Sequence, residues 1–249
     1  MDNMVSLLLS HRSIRKFEDK PLTDEQIKII VSCAQSASSS SFVQAYSIIG
    51  IKDKQKKKKL AEISGNQTYV ADNGHLFVFC ADLYRHEVIG RKEGKDVTPS
   101  IESTEKFMVG LIDAALASQN AAIAAESMGL GICYIGGIRN NLEEVKKLLK
   151  TPDRVIPLFA MAVGYPNQSP DIKPRLPFEH IYHEDEYEQQ HEEFEKQLTE
   201  YDAIVSAYYE ERTSGKRRDR WTEQIAAMLE NQTRMYMKEF ITKNKMDIR

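Results

Sequence analysis

The chain has 249 residues, of which 41% are hydrophobic and 29% are charged, and its formal net charge is −3. This composition is typical of a globular protein with a core of ordinary size, and it excludes a disordered or low-complexity chain. The small negative charge gives no overall attraction to nucleic acid or to anionic lipid, so any basic site must be local.

The cysteines and the most apolar segments predict a cytoplasmic protein. Cys33, Cys80 and Cys133 are widely spaced and form no CxxC pair, so we expect reduced thiols in a reducing compartment. Charged residues follow the first short apolar run, which argues against a signal peptide. The apolar stretch 107–135 is interrupted by polar residues, and we therefore expect a core helix there rather than a membrane span.

The first half of the chain alternates predicted helices and strands. Thr23-Asp-Glu-Gln26 matches a capping box and predicts a helix start. That helix ends in the serine run 36–41, because hydroxyl groups compete for backbone hydrogen bonds. We also predict a short helix at 4–10, a strand at 46–51, a helix at 53–63 with lysines 56–59 on its solvated face, and a buried central strand at 76–81.

Residues 105–128 form a long predicted helix that is apolar nearly all round, so it must be buried in the core or against a partner subunit. A glycine-rich strand and turn (129–137), an amphipathic helix (142–149) and an apolar strand (155–163) are predicted after it.

Beyond residue 177 the chain changes character. Residues 184–202 are rich in acidic side chains, 203–211 are predicted to be helical, 212–220 form a basic loop, and a last helix starts at Trp221. No linker rich in Pro, Gly or Ser separates this region. We therefore predict one α+β domain, 1–249, whose segment 180–235 is a C-terminal excursion that reaches toward a partner subunit.

Common phosphate and metal motifs are absent from the sequence. There is no P-loop, and Gly129-Leu-Gly131 lacks the third glycine of a dinucleotide-binding turn and follows a helix. His180 and His183 have a metal-like spacing, but Pro177 argues against the helix that such a site requires. No nucleophile with an adjacent base is evident. We therefore expect no metal site and no protein nucleophile.

Two short basic motifs are candidate anion sites. His11-Arg-Ser-Ile-Arg15 places two guanidinium groups and a hydroxyl on a tight segment, and guanidinium matches phosphate geometry. In Lys173-Pro174-Arg175, proline stiffens a segment that carries two more cations. Surface salt bridges are the alternative interpretation of either motif.

Three further segments have both a structural and a functional interpretation. The paired glycines of Tyr134-Ile-Gly-Gly137 let the backbone approach a flat ligand, or they form a simple turn. The serines at 38–41 bond a ligand edge or cap a helix. The basic loop 212–220 binds a phosphate or pairs with the acidic stretch 184–202.

Taken in chain order, these segments resemble the FMN-dependent nitroreductase superfamily, in its NADPH-using branch of oxygen-insensitive nitroreductases and flavin reductases. The resemblance spans nearly the whole chain. It is carried by His11-Arg-Ser-Ile-Arg15, Gln35-Ser-Ala-Ser-Ser-Ser-Ser-Phe42, Ala124-Ala-Glu-Ser-Met-Gly-Leu-Gly131, Tyr134-Ile-Gly-Gly137, Lys173-Pro-Arg-Leu-Pro177, Tyr201-Asp202, Tyr208-Tyr209 and the segment from Arg212 to Trp221.

The resemblance implies a mixed, mostly antiparallel central sheet surrounded by helices in an intertwined homodimer, with tightly bound FMN and with NADPH as electron donor. The implied FMN-binding residues are His11, Arg12, Ser13, Arg15, Ser38, Ser39, Ser40, Gln67, Tyr134, Ile135, Gly136, Gly137, Lys173 and Arg175. The NADPH 2′-phosphate is assigned to Arg212, Arg217 and Arg218, and which of these arginines contacts it stays open. Phe42, Glu105 and Arg234 are assigned to the substrate face.

The implied reaction is a ping-pong, two-electron hydride transfer through flavin N5 to nitroaromatics, quinones or free flavin, with no catalytic protein acid or base. Two alternatives stay open. One is a dedicated NAD(P)H:FMN reductase that supplies reduced flavin, and the other is a flavin-binding protein without turnover. We expect small-molecule acceptors as partners, and neither nucleic acid nor membrane.

Overall fold

The computed structural model describes residues 3–187 and 191–249. The chain divides into two compact units, the first formed by Met1–Pro170 with Arg234–Arg249 and the second by Asp171–Thr233. The predicted reach of segment 180–235 toward a partner subunit stays a prediction.

The first unit is built on a four-stranded sheet. Its strands are β1 (Tyr46–Ile51), β2 (His75–Asp82), β3 (Gly131–Ile135) and β4 (Val155–Gly164), in the order β1-β2-β4-β3 with every neighbouring pair antiparallel. Every residue of β2 is buried, as expected for a central strand covered on both faces. The predicted α+β class with a mainly antiparallel sheet is confirmed.

Ten α-helices lie in the described residues. In chain order they are α1 (Asn3–Leu9), α2 (Asp24–Gln35), α3 (Lys54–Ile63), α4 (Tyr84–Lys92), α5 (Thr98–Ile101), α6 (Thr104–Ser127), α7 (Leu142–Leu149), α8 (His191–Arg212), α9 (Trp221–Glu230) and α10 (Met237–Lys243). Helices α8 and α9 belong to the second unit, and the others belong to the first.

The predicted capping box starts α2. The Thr23 hydroxyl accepts the Gln26 backbone N–H at 3.1 Å, and the Gln26 side-chain oxygen accepts the Thr23 N–H at 3.0 Å. Each bond satisfies a backbone donor that the first helical turn leaves without a partner.

Helix α6 packs its small residues against the sheet and α2. Ala117, Ala121 and Ala125 are buried in one core cluster, and their small side chains allow close approach. By length and composition α6 could cross a membrane despite its polar interruptions, and 50% of its most apolar window is buried within the fold. Such burial is typical of a core helix in a folded domain.

The structure corrects the sequence predictions at several points. Lys57 is 6% exposed and does not lie on a solvated face of α3. Helix α8 begins at His191 and not at residue 203. Its first turns were not predicted to be helical, because they are charged and show little apolar periodicity. Helices α4, α5 and α10 were not predicted. Each is ten residues or shorter, which leaves little length for a periodic pattern.

Candidate functional site

The first basic motif is fixed along strand β3. The Ile14 N–H donates to the Ile132 carbonyl at 2.8 Å, and the Ile14 side chain is buried. A Cβ at Gly131 would lie only 2.6 Å from Ile14, so the glycine allows the segment to dock. Docking by Ile14 leaves Arg12 and Arg15 exposed on either side of it.

Arg15 belongs to a polar cluster beside β3. The Tyr69 hydroxyl donates to the Gln67 side-chain oxygen at 2.6 Å. Burial raises the pKa of Tyr69, and the neighbouring Arg15 guanidinium opposes that rise. Burial also raises the pKa of the Cys133 thiol, against the influence of Arg15 and Ser13. The structure therefore brings Ser13, Arg15 and Gln67 together, while Tyr69 and Cys133 were not among the predicted site residues.

His11 contacts the end of helix α6. Its Nδ1 lies 2.6 Å from the Glu126 Oε1, in the geometry of a hydrogen bond to the carboxylate. His11, Arg12 and Glu126 line a small cavity of about 180 Å³. Glu126 was not a predicted site residue, because an acidic residue near a helix end has no distinctive spacing.

The serine run forms a strained loop that Asp113 holds. This side chain is 1% exposed, and its two carboxylate oxygens accept the backbone N–H groups of Ser40 at 3.0 Å and Ala45 at 2.9 Å. Ser41 and Phe42 have φ values of 48° and 59°, which non-glycine residues adopt at a cost. The Phe42 side chain is 82% exposed. Of the predicted serines, Ser38 and Ser40 are exposed and Ser39 is half-buried.

The end of β3 and the turn that follows it are packed into the fold. The Tyr134 hydroxyl donates to the Ser118 carbonyl in the core at 2.8 Å, so that side chain is engaged within the fold. A Cβ at Gly137 would lie 2.8 Å from the Ser64 carbonyl oxygen. This close backbone approach requires glycine at 137, in addition to any role toward a ligand. Ile135 is buried, and Gly136 is partly accessible.

Arg234 binds the end of that same turn. Its Nε donates to the Asn140 Oδ1 at 3.0 Å, and the nearby Tyr236 hydroxyl donates to the Arg139 carbonyl at 2.7 Å. Within the part of the chain that the structure describes, no hydrogen bond or ion pair joins Arg234 to Phe42 or Glu105. Both of those side chains are exposed.

In the second unit, the Lys173-Pro174-Arg175 segment lies against helix α8. The Tyr201 hydroxyl donates to the Pro174 carbonyl at 3.1 Å. Lys173 and Arg175 line a cavity of about 360 Å³ together with aromatic side chains of α8 and α9, which are Tyr201, Tyr208, Tyr209 and Trp221. The three tyrosines belong to the segments that carry the family resemblance, but they were not predicted site residues.

The start of α9 is fixed to α8. The Asp202 carboxylate accepts the Thr222 backbone N–H at 2.9 Å and also its hydroxyl. The Tyr201 ring makes an edge contact with Trp221 at 5.5 Å between centroids. Adjacent residues of α8 therefore hold the lysine–arginine segment on one side and the end of the basic loop on the other.

The cations of the basic loop pair mainly with neighbouring carboxylates. Arg217 Nε donates to Asp219 at 2.7 Å, Arg218 pairs with Glu210, and Arg220 pairs with Glu223 at 3.3 Å. Among the residues described, the partners of these arginines are local and do not belong to the acidic stretch 184–202, of which 188–190 lie outside the description.

Two cations of the second unit share one aromatic ring. Arg217 lies 4.6 Å and Lys173 6.0 Å from the centroid of Tyr209. Arg212 donates instead to the Tyr208 hydroxyl at 2.8 Å and has no carboxylate partner in residues 3–187 and 191–249. The second unit thus places the predicted FMN-phosphate lysine and a predicted 2′-phosphate arginine against the same side chain. The joint action of the first and second basic motifs stays a prediction.

The exposed guanidinium groups of Arg12 and Arg15 beside β3 are chemically suited to bind a phosphate. Two family models match this chain: the Nitroreductase family over residues 8–165 and the Nitroreductase family, C-terminal domain, over residues 173–249.

Relatives and solved structures agree with those matches. The chain is 52% identical over 241 residues, 97% of either chain, to a Bacillus subtilis protein named FMN reductase (NADPH). The structure of NfrA1 from B. megaterium has a TM-score of 0.98 with 60% identity, covering 99% of this chain and 100% of that one. A Vibrio harveyi structure described as NADPH:FMN oxidoreductase complexed with NAD⁺ has a TM-score of 0.90 with 36% identity and full coverage of both chains.

The chain belongs to the Nitroreductase family, as its sequence predicted.

Proposed function

We propose that this chain is an FMN-dependent NADPH oxidoreductase that passes two electrons to nitroaromatics, quinones or free flavin. The observation that carries the proposal is the pair of exposed arginines, Arg12 and Arg15, which Ile14 fixes at the edge of β3 in a member of this family. The relatives' names, FMN reductase (NADPH) and NADPH-dependent oxidoreductase, confirm the predicted class of enzyme, while the acceptors remain proposals.

The donor set of the chain fits FMN. Neither Arg12 nor Arg15 forms an ion pair with any described residue, so both guanidinium groups are available to a phosphate dianion. Lys173 and Arg175 would complete the phosphate site, and His11 and Ser13 would face the ribityl chain. Ser38, Ser39, Ser40 and Gln67 would meet polar flavin edges, and the backbone of residues 134–137 would lie against the ring system.

Bound FMN would be the two-electron carrier for hydride transfer. The residues of this chain would hold FMN and position the donor and the acceptor beside it. Backbone N–H groups of Gly136 and Gly137 would stabilise negative charge at the pyrimidine end of the ring system. The exposed Phe42, with Glu105 and Arg234, would border the space where donor and acceptor bind in turn. No side chain is required to transfer a proton.

NADPH would be selected through its 2′-phosphate by the basic loop. Arg212 has no competing carboxylate in the described residues, whereas Arg217 and Arg218 would have to exchange Asp219 and Glu210 for the phosphate. A phosphate dianion is a stronger partner for guanidinium than an exposed carboxylate. We assign the contact first to Arg212 and Arg217.

A homodimer is the proposed assembly. Met108, Ile112 and Leu116 repeat every four residues along α6 and are 50%, 50% and 43% exposed. An exposed apolar stripe on a long core helix favours a protein–protein contact. A second copy of the chain fits this stripe best, because the resemblance implies an intertwined dimer. The cytoplasm is the proposed location, on the basis of the reduced cysteines.

An absorbance spectrum of the purified protein, before and after NADPH, tests the proposal. We expect a yellow protein whose flavin absorbance is bleached by NADPH. A yellow protein that NADPH cannot bleach would instead be a flavin-binding protein without turnover, and a colourless protein that does not take up FMN would contradict the proposal entirely.

A dedicated FMN reductase is the second candidate, and the name of the B. subtilis relative favours it. Turnover of nitrofurazone, a quinone and free FMN under the same NADPH concentration separates the two functions. A large preference for free FMN over both other acceptors supports the reductase.

A further inference from the structure

A second cavity in the first unit lies apart from the residues assigned to FMN and NADPH. Its volume is about 700 Å³, within the range of small-molecule sites. It is bordered by the loop 17–22, the start of α3 and the segment 71–75. None of the residues assigned above to the flavin, to the nicotinamide nucleotide or to the substrate face lines it.

The lining of this cavity is basic. Five lysines face it against three carboxylates, and the lysines are Lys20, Lys52, Lys54, Lys57 and Lys58. Lys52 is engaged with Asp24 at 2.6 Å. Lys54 and Lys58 are exposed and form no ion pair with any residue in 3–187 or 191–249. Two ammonium groups at the mouth are therefore available to an anion.

Lys57 places a further ammonium group inside the fold. It is 6% exposed, and its Nζ donates to the backbone carbonyl and to the side-chain oxygen of Asn73, both at 2.9 Å. An ammonium has three donors, so one N–H remains beyond these two bonds. Burial and the nearby Lys54 lower the pKa of Lys57 to about 8, which leaves the group charged at neutral pH.

His75 lies at the inner wall as a neutral ring. It is 3% exposed, and its Nε2 has no hydrogen-bond partner among the described residues. Burial, with Lys57 and Lys52 nearby, lowers the pKa of His75 to about 4. This nitrogen is packed toward β1, since a Cβ at Gly50 would lie 2.7 Å from it. His75 therefore contributes a neutral wall to the cavity, and the ligand contacts are left to the lysines.

The remaining lining is apolar and aromatic, with Phe17, Leu22 and Ile27 among its members. Such a surface suits the flat or apolar body of a ligand, while the lysines suit a multivalent anion as point charges. We propose that this cavity is a second ligand site that binds a small organic phosphate, a phosphomonoester carried on an aromatic body. Lys54, Lys57 and Lys58 hold the phosphate, and Phe17 and Leu22 contact the body.

Isothermal titration calorimetry of the FMN-loaded protein tests this site, with AMP and adenosine as probes. Three variants separate the possible locations. Lys54→Ala/Lys58→Ala removes the two available lysines. Lys59→Ala on the same helix is the matched control, since Lys59 pairs with Glu144 at 2.9 Å and does not line the cavity. Arg212→Ala/Arg217→Ala removes the proposed NADPH loop, to which AMP could also bind.

We expect AMP to bind the wild type, the Lys59→Ala variant and the Arg212→Ala/Arg217→Ala variant with similar affinity. The Lys54→Ala/Lys58→Ala variant should bind it about tenfold more weakly or worse, because charged hydrogen bonds are lost. Adenosine should bind the wild type clearly more weakly than AMP. Unchanged affinity after loss of Lys54 and Lys58, equal binding of adenosine and AMP, or no AMP binding at millimolar concentration would each overturn the proposal. Loss of AMP binding only in the loop variant would also overturn it, while supporting the NADPH assignment.

Discussion

The arginines of the basic loop differ in the partners that their side chains already have. Arg220, the residue before α9, is paired with Glu223, whereas Arg212 donates to the Tyr208 hydroxyl and has no carboxylate partner among the described residues. A guanidinium without a carboxylate partner has no ion pair to break when it binds a phosphate. The charge of the loop alone therefore does not identify the arginines that would read a nucleotide.

Replacing Arg212 and Arg217 with alanine should raise the KM for NADPH by about tenfold or more, since charged hydrogen bonds contribute roughly 1.5–3 kcal/mol each. The kcat and the KM for NADH should change little, because the lost contact is uniform binding to a phosphate that NADH lacks. Steady-state kinetics with both nucleotides measure this effect. Arg220→Ala is the control from the same loop. An equal loss with NADPH and NADH would show that the loop does not read the 2′-phosphate.

His75 contributes a pH-dependent term to stability. Burial lowers its pKa to about 4 in the folded protein, against about 6.5 when exposed. The unfolded chain therefore binds a proton below about pH 6.5 that the folded protein does not. Stability from this residue is fully present above that pH and is lost as the pH falls from 6.5 toward 4.

His75→Leu should remove about 2 kcal/mol of the decline in unfolding free energy between pH 7 and pH 5. Urea unfolding at the two pH values measures the difference. His191→Gln is the control, because the side chain of His191 is 87% exposed. A decline of the same size in the wild type and in His75→Leu would refute the assignment of a buried neutral histidine.

At the scale of elements, helix α8 supports both basic segments of the second unit. Tyr201 holds the carbonyl of Pro174, and the next residue, Asp202, holds the first turn of α9. Because both contacts come from one turn of α8, the helix fixes the backbone on which Lys173, Arg175 and the end of the basic loop are carried.

Tyr201→Phe should lower FMN affinity several-fold, because the hydroxyl no longer fixes the segment that carries Lys173 and Arg175. Loss of one neutral hydrogen bond is worth about 1 kcal/mol. Fluorescence titration of the apoprotein with FMN measures the affinity. Tyr182→Phe, at an exposed position of the same unit, should leave it unchanged. Equal affinities in wild type and Tyr201→Phe would show that this bond does not position the segment.

Elements with strong periodicity or clear start signals were predictable from sequence. The strand at 46–51 has the predicted bounds, and the capping box at Thr23 forms as expected. Helix α8 was predicted only in part, because its acidic first turns carry no apolar stripe. Lys57 was misplaced, because a lysine run does not reveal that Asn73, sixteen residues away, supplies two acceptors.

Those residues of the candidate site whose side-chain type itself suggests a ligand contact were predictable from the sequence. Arginine, serine and glycine motifs indicate anion and backbone contacts by themselves. Supporting residues were not predictable: Asp113 lies 73 positions from Ser40, and Glu126 lies 115 positions from His11. Such contacts depend on tertiary packing, which no local pattern contains.

At the scale of the whole molecule, the stripe on α6 predicts an assembly. Ile112→Lys should weaken or abolish the dimer and, with it, FMN retention, because a charge in an apolar contact is costly to bury. Analytical ultracentrifugation and flavin absorbance measure both effects. Ile89→Lys, at a similarly exposed isoleucine of α4, should behave like the wild type. A stable dimer with lysine at position 112 would exclude this face from the subunit contact.

We propose that cations distant in sequence bind one flavin phosphate. The most direct measurement is the dissociation constant of FMN for the wild type, Arg15→Ala and Arg175→Ala, with Arg91→Ala as a surface control that pairs only with Glu87 among the described residues. We predict that FMN binds Arg15→Ala and Arg175→Ala each about tenfold more weakly or worse, while Arg91→Ala binds it like the wild type. Wild-type FMN affinity in both Arg15→Ala and Arg175→Ala would contradict the account.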